Sequence, residues 1–386
     1  MVSGGSFPTA AGGFFPTAAG GFFPTASGGF FPAASGHAYP WDVLGDPGFL
    51  DRAPQRVTLA AAYHSTRAAT PMHPAHRIVD ARWAALYRPV REAAWKGQNL
   101  RPLPPTWVSS PDAFGDAARL LKRAGREVSA WIVLTHNTRL GTLRPDVAVE
   151  NSFGEIYPYA LCPAHQEVRD HAATLAAEAV LDLDLDGVSL EACGQLGVSH
   201  LGHHEKTDGA FSAETARLLS ICCCTACRRA WTDAGLDPSA VVAALRAGNP
   251  SDEVLSTVLE IRHRHTDLLR AQVLAGTAGL PVTLHAHPDP WATGPSPGLT
   301  PAAAAATSGV DTLLVPCWPP GSADLVRAAA QHGKPVDAYV TLLHPMAPDE
   351  VRPHVQALRA AGATRLSLYH LGLAPAWRQE LFTALD

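Results

Sequence analysis

The chain has 386 residues, 47% of them hydrophobic and 17% charged, with a formal net charge of -5. This is globular composition, long enough to bury a large core either as two ordinary domains or as one barrel. A mildly acidic balance without a basic face argues against nucleic acid as a partner. No apolar run reaches the roughly eighteen residues needed to span a membrane.

Residues 1–36 form a separate tract. GGFFPTAA recurs there, marked by Pro8, Pro16, Pro24 and Pro32. Gly, Pro, Ala and paired Phe at that spacing cannot close a core, so a disordered low-complexity tail is expected. The tail has no Lys or Arg, and Pro and Gly interrupt it throughout, so it does not read as a secretory signal and a cytoplasmic location is expected. The chain's seven cysteines, an odd number, fit metal binding better than a disulfide framework in that setting.

Beyond the tail, β-like runs alternate with helical segments. HAYPWDV (37–43) and RVTLAAAYHS (56–65) come first. The amphipathic stretch DAFGDAARLLKRAGRE leads into VSAWIVLTHN (128–137), and a helix starting near Gln166 leads into LDGVSLEACG (185–194). A long helix over about 252–275 precedes PVTLHAHPD (281–289). DTLLVPCW (311–318), PVDAYVTLLHP (335–345) and RLSLYHLG (365–372) follow, separated by helices that end in Gly as a C-cap does. Continuous apolar strands such as WIVL and TLLV suit a parallel sheet covered by helices. The pattern predicts an α/β fold, a single (β/α)8 barrel over 37–386, with an open doubly wound sheet as the alternative. The interval 194–280 is too long for one crossover, which predicts an inserted Cys-rich subregion over about 194–250. No GxGxxG follows a strand and no GxxxxGK[ST] is present, so no nucleotide cofactor is expected.

In such a barrel the chemistry sits at the C-terminal ends of the strands. Here those ends carry Tyr63 and His64, His136 and Asn137, Glu191, then His285, His287 and Asp289, then Cys317 and Trp318, His344, and Tyr369 and His370. So many imidazoles at strand ends predict a polar pocket. Glu191 is delivered at the mouth of the fourth strand; the competing reading is a buried Glu paired with a nearby Arg. The segment HLGHHEKTDGAFS (200–212) holds His200, His203, His204, Glu205 and Asp208, and reads as a loop able to fold over the mouth or as a plain solvated one. Trp41, Tyr63, Trp131, Trp291, Trp318 and Tyr369 lie at or near strands, where those at the mouth can stack on sugar faces; Trp131 reads as core.

Cys222, Cys224 and Cys227 form C-x-C-x2-C running into a helix. Zinc takes thiolates in tetrahedral fours. The spacing lets three sulfurs converge with Cys223 turned away, and Cys162 is the expected fourth ligand of a structural zinc site; Cys193 is expected to pack near the strand end.

In this order the residues resemble glycoside hydrolase family 42, the thermophile-type β-galactosidases, and more broadly the hypothetical glycosyl hydrolase barrels of bacteria. Cys162-Pro163 and its helix come first, then Glu191 ending DGVSLE, then the C-x-C-x2-C. The resemblance implies a barrel glycosidase with Glu191 as acid/base and the four cysteines as a structural site. The chain departs from the family where Leu190 replaces an Asn before the acid/base, and where VTLLHP carries no carboxylate for the family's strand-seven nucleophile.

Glycoside hydrolysis usually needs two carboxyl groups flanking the bond. Glu191 is the expected general acid, with Asp289 or Glu205, and behind them Asp208, as the second. His64, His136, Asn137, His204, His285, His287, Trp318, Tyr369 and His370 are the expected substrate contacts, with a small carbohydrate or glycoside as partner and a homo-oligomer left open. Two alternatives stand beside this reading. One is a metal-dependent hydrolase or isomerase built on His285-x-His287 with His64, His136, His344, His370 and Asp289. The other is a sugar-binding barrel without catalysis.

Overall fold

The computed structural model describes residues 34–200, 205–207, 209–277 and 279–385, so the repeat tail up to residue 33 lies outside the described residues. Eight parallel strands close into a barrel: β1 (Ser35–Ala38), β2 (Arg56–Tyr63), β3 (Glu127–Val133), β4 (Gly187–Glu191), β5 (Val282–His285), β6 (Thr312–Pro316), β7 (Val336–Thr341) and β8 (Arg365–Tyr369). Each pairs with the next, and β1 pairs with both β2 and β8, which closes the ring. A short strand, Ala85–Leu86, adds antiparallel to the end of β2.

The first strand is shorter than the sequence suggests and starts earlier. It takes in Ser35 and Gly36 from the expected tail, and Pro40 opens a helix, Pro40–Gly45. Proline suits a first helical turn because its missing N–H has no partner there in any case. The Asp42 carboxylate accepts from the Tyr39 N–H at 2.8 Å and fixes the turn out of the strand.

Outside the strands, Asp112 caps helix Ala113–Arg123 by accepting from the Gly115 N–H, and Ser251 caps the helix Asp252–Ala275 through the Val254 N–H. Helix Gln166–Val180 leads into β4. The stretch between β4 and β5 holds helices Ala213–Leu219, Thr225–Asp233 and Pro238–Ala247 before the long one. Among the described residues no helix is long and apolar enough to cross a membrane.

Alternation along the strands divides the barrel. Val57, Leu59, Val128, Ala130, Ile132, Val188, Leu190, Val282, Leu284, Leu313, Val315, Val336, Val340, Leu366 and Leu368 are buried in one apolar cluster with residues of the surrounding helices. Each Val, Leu and Ile among them contributes about 1.5–3 kcal/mol on burial. The hydrophobic core therefore lies between sheet and helices. The alternate positions turn into the barrel and are largely polar, Leu314, in register with His285 and Asp337, being an apolar exception. At the bottom, Thr58, Ser129, Ser189, Thr312 and Ser367 line a cavity of about 280 Å³, bounded by the ion pairs Arg56–Glu127 at 2.7 Å and Arg365–Asp337 at 2.9 Å. One layer higher, His37, Trp131, Glu191, His285, Tyr339 and Tyr369 converge, His37 lying 4.7 Å from both Trp131 and Tyr339 between ring centroids.

Candidate active site

Glu191 is the last residue of β4, and the two-residue period that turns Ser189 inward turns Glu191 inward as well. The next residue, Ala192, has φ +52°, a left-handed conformation that costs a non-glycine residue about 1–2 kcal/mol. Two bonds hold that turn: the Ala192 N–H donates to the Pro295 carbonyl at 2.8 Å, and the Thr135 hydroxyl donates to the Ala192 carbonyl at 2.8 Å. The chain thus breaks sharply away at the point where the carboxyl reaches the mouth.

Above Glu191 opens a cavity of about 550 Å³. Tyr63, His64, Trp131, His136, Trp318, Tyr339 and Tyr369 line it from the strand ends, Val198 to His200 and Phe211 from the segment after β4, and Thr293 to Pro295 from the loop after β5. Glu191 is the one carboxylate among the described lining residues. Its Oε2 accepts from the Trp131 indole N–H at 2.8 Å. No Arg or Lys pairs with it among the described residues, so the reading of a Glu pinned by an Arg does not hold. His285 Nδ1 lies 3.8 Å from Oε2, but burial drives that imidazole far below its ordinary pKa and it stays neutral; its Nε2 is 3.0 Å from the Ser189 hydroxyl. Burial, partly opposed by the Trp131 bond, pushes Glu191 up to about 8. At neutral pH the site therefore presents an uncharged carboxylic acid to an open cavity. Burial also holds the Tyr63 and Tyr339 phenols protonated.

The other expected residues divide. His64, His136, Trp318 and Tyr369 line the cavity with Glu191. Trp318 is 40% exposed and leans on Tyr369 at 5.1 Å, a free aromatic face at the mouth. His136 stacks on His64 at 4.4 Å, and its Nε2 lies 3.0 Å from His200 Nε2. Glu205 reaches this wall through His200, its Oε2 lying 3.7 Å from His200 Nδ1, and the Thr207 hydroxyl holds its carboxylate below the ordinary range. His285 sits beneath Glu191. His370 is buried and lies 3.9 Å from Asp42. The Asn137 oxygen is committed as the cap of helix Thr138–Leu143, accepting from the Leu140 N–H at 3.0 Å. The His287 Nδ1 accepts from the Asp289 N–H, and Asp289 is exposed in an adjoining depression. His344 is exposed. His203, His204 and Asp208 lie outside the described residues.

Sequence reasoning did not assign Tyr339, His200, the Thr293–Pro295 loop or Asp42. Tyr339 was within reach, since it stands two residues beyond Asp337 in the inward register of β7. Asp42, buried and pushed by burial up to about 8, was hidden by reading residues 37–43 as strand.

The four cysteines come together. Cys162, Cys222, Cys224 and Cys227 are buried, with their sulfurs all within 4.8 Å of one another. Among the described residues this is the one group of three or more His, Cys, Asp or Glu placed to hold a metal ion; the strand-end histidines do not converge as a ligand set. Cys223 turns away into a second apolar cluster with Trp231 and Val241, and Cys193 packs in the main one. His165 Nε2 lies 3.3 Å from the Cys224 sulfur, and the neighbouring thiols push Cys224 toward the thiolate.

A parallel eight-stranded barrel with a carboxyl at the end of its fourth strand defines the class of the molecule: a TIM barrel with its polar site at the C-terminal face. Solved structures place it further. The α-L-fucosidase isoenzyme 2 from Paenibacillus thiaminolyticus matches with a TM-score of 0.56 at 14% identity, over 91% of this chain and 48% of its own. The catalytic domain of β-amylase from Paenibacillus polymyxa gives 0.55 at 12% identity, over 92% of this chain and 99% of its own. Gan42B, a GH42 β-galactosidase, gives 0.50 at 12% identity, over 92% of this chain and 56% of its own. The chain spans about half the length of the fucosidase and of Gan42B. At these identities the likeness establishes the barrel fold. No protein-family model and no curated protein sequence matches the chain.

Proposed function

We propose that the chain is a glycoside hydrolase in which Glu191 is the general acid. The observation that carries this is a buried carboxyl, which burial pushes up to about 8, facing an aromatic-walled cavity of about 550 Å³ at the C-terminal end of the barrel strands. A general acid must hold its proton at working pH and lie within reach of the leaving oxygen. Trp131 occupies Oε2, which leaves Oε1 to carry the proton. Trp318 and Tyr369 offer faces for a sugar ring, and His64 and His136 offer polar edges. Glu205 acts on the same cavity through His200, and we assign this pair the base side of the reaction, where a water is activated.

The cysteine group fits a structural zinc ion. Tetrahedral zinc with sulfurs at about 2.3 Å requires sulfur–sulfur edges of roughly 3.8 Å, and Cys162 stands 3.7 Å from Cys227 and 3.8 Å from Cys224. Four thiolates would fill the coordination sphere, so the ion would brace the segment after β4 and take no part in the chemistry. Buried free thiols also suit a reducing, cytoplasmic setting.

The test is turnover of a panel of p-nitrophenyl galactosides, fucosides and glucosides and of maltooligosaccharides. Glu191→Gln should lower kcat/KM by about 10²–10⁴-fold, with the parent's activity falling on the basic side near pH 8. A parent chain that binds these sugars yet turns none over would make it a binding barrel. A Glu191→Gln variant with full activity would remove Glu191 from the mechanism.

A further inference from the structure

The cavity over Glu191 does not close at its outer edge. A second depression of about 500 Å³ adjoins it and shares Ser199, Ala216 and Thr293 with it. Two elements furnish its own polar groups. Helix Ala213–Leu219 supplies Arg217 and Glu214, and the loop after β5 supplies Asp289 beside Trp291.

These groups are held in place but not used up. The Arg217 guanidinium carbon lies 5.9 Å from the centre of the Trp291 ring, and its Nε is shielded from solvent without a hydrogen-bond partner. The Trp291 N–H donates to Asp289 Oδ1 at 2.9 Å, which fixes that carboxylate in the exposed loop. Arg217 and Asp289 make no ion pair with each other among the described residues. One depression therefore presents a guanidinium that makes no ion pair among the described residues and a carboxylate held through Oδ1 by the Trp291 N–H. A ligand that satisfies both must donate and accept, as adjacent hydroxyl groups do. Glu214 and Asp289 are matched by Arg217 and by Arg262, whose guanidinium lies 6.0 Å from the Trp291 ring and acts on Asp289, so neither sign prevails and an anion gains no net attraction. A neutral polyol fits better than a phosphate or uronate.

We propose that this depression is a second sugar subsite, so that the chain takes glycosides of at least two rings, one at Glu191 and the next over Arg217 and Asp289. The proposal rests on the glycoside hydrolase reading and gives Asp289 a role in substrate length. It also accounts for a carboxylate at the end of the β5 segment that lies outside the lining around Glu191.

The experiment compares matched pairs: p-nitrophenyl glucoside against the maltoside and cellobioside, and the galactoside against the lactoside. In Arg217→Ala and Asp289→Asn, kcat/KM should fall about ten-fold more on the two-ring member of a productive pair than on its one-ring partner. Equal losses on both members, or no loss on either, would overturn the subsite. If the parent turns over no pair, the hydrolase reading fails first, and calorimetric binding of maltose, cellobiose and lactose against glucose and galactose decides the subsite alone. A two-ring gain in the parent that disappears in Arg217→Ala supports it; no gain in the parent sinks it.

Discussion

Trp131 has two roles that pull in different directions. It fills the barrel, fully buried against His37 and Tyr63, as its place in an apolar strand suggests. It also donates the one hydrogen bond that Glu191 receives from a side chain among the described residues. That bond favours the charged carboxylate and so opposes the effect of burial. Trp131→Phe keeps most of the packing and deletes the donor. Glu191 should then titrate above its present value of about 8, and the basic limb of the pH–kcat/KM profile should move to higher pH. A limb that stays in place would mean that the indole does not set the acid's proton affinity. Residue identity made Glu191 legible in the sequence, because a carboxylate ending an apolar strand has little structural reason to be there. The same logic could not find Trp131, whose function is visible only through a partner 60 positions away. His200 was within the quoted loop, but only the 3.0 Å contact with His136 brings it to the cavity.

At the level of elements, the strands were legible because their outward faces are unbroken apolar runs, and the helices because their caps and C-terminal glycines are local signals. The exception is β1, where HAYPWDV holds a strand, a capping turn and a helix in seven letters, and the turn depends on the Asp42 carboxylate reaching back to Tyr39. The segment after β4 is stabilised differently. Its apolar contacts split between two clusters, and the sulfurs of Cys222, Cys224 and Cys227 meet Cys162 from the connection between β3 and helix Gln166–Val180. A metal there would tie two connections of the barrel that no strand pairing joins. The purified chain should carry one zinc per molecule. Cys162→Ser should lower that content, and with it Tm by several degrees, since structural zinc contributes directly to folding. Because Val198 to His200 form part of the cavity wall, activity should fall along with metal content. Full thermal stability in a zinc-free Cys162→Ser chain would show that the thiols pack without needing the ion.

Over the whole molecule, the polar barrel interior makes stability depend on pH in two opposite ways. Burial lowers His37 to about 3 and His64, His171 and His265 to about 4, from an ordinary 6.5. These imidazoles are neutral in the folded chain, whereas the unfolded chain protonates them near 6.5. Their contribution is complete above that pH and is lost as the pH falls toward 4. Glu191 and Asp42 act in reverse. Burial raises them to about 8 from 4.5 and 3.8, so the folded chain binds protons that the unfolded chain has released. Their contribution is complete below about pH 4 and is lost as the pH rises through 8. Burial also drives His136, His285 and His370 well below 6.5 and raises Asp337; between pH 4.5 and 6.5 the more numerous histidines therefore outweigh the carboxyls, and above 6.5 the carboxyls prevail. Denaturant unfolding across pH 4–9 should therefore give a maximum near pH 6.5, with the steeper flank on the acid side. Glu191→Gln removes one of the buried carboxyls, with Asp42 and Asp337, that ionise at cost. Its stability relative to the parent should grow from pH 4.5 to 8 and level off beyond, so that the variant which loses turnover is the more stable protein at pH 8. Parallel curves for parent and variant across that window would mean that Glu191 is ionised in the folded chain at neutral pH, and that a different group must supply the proton.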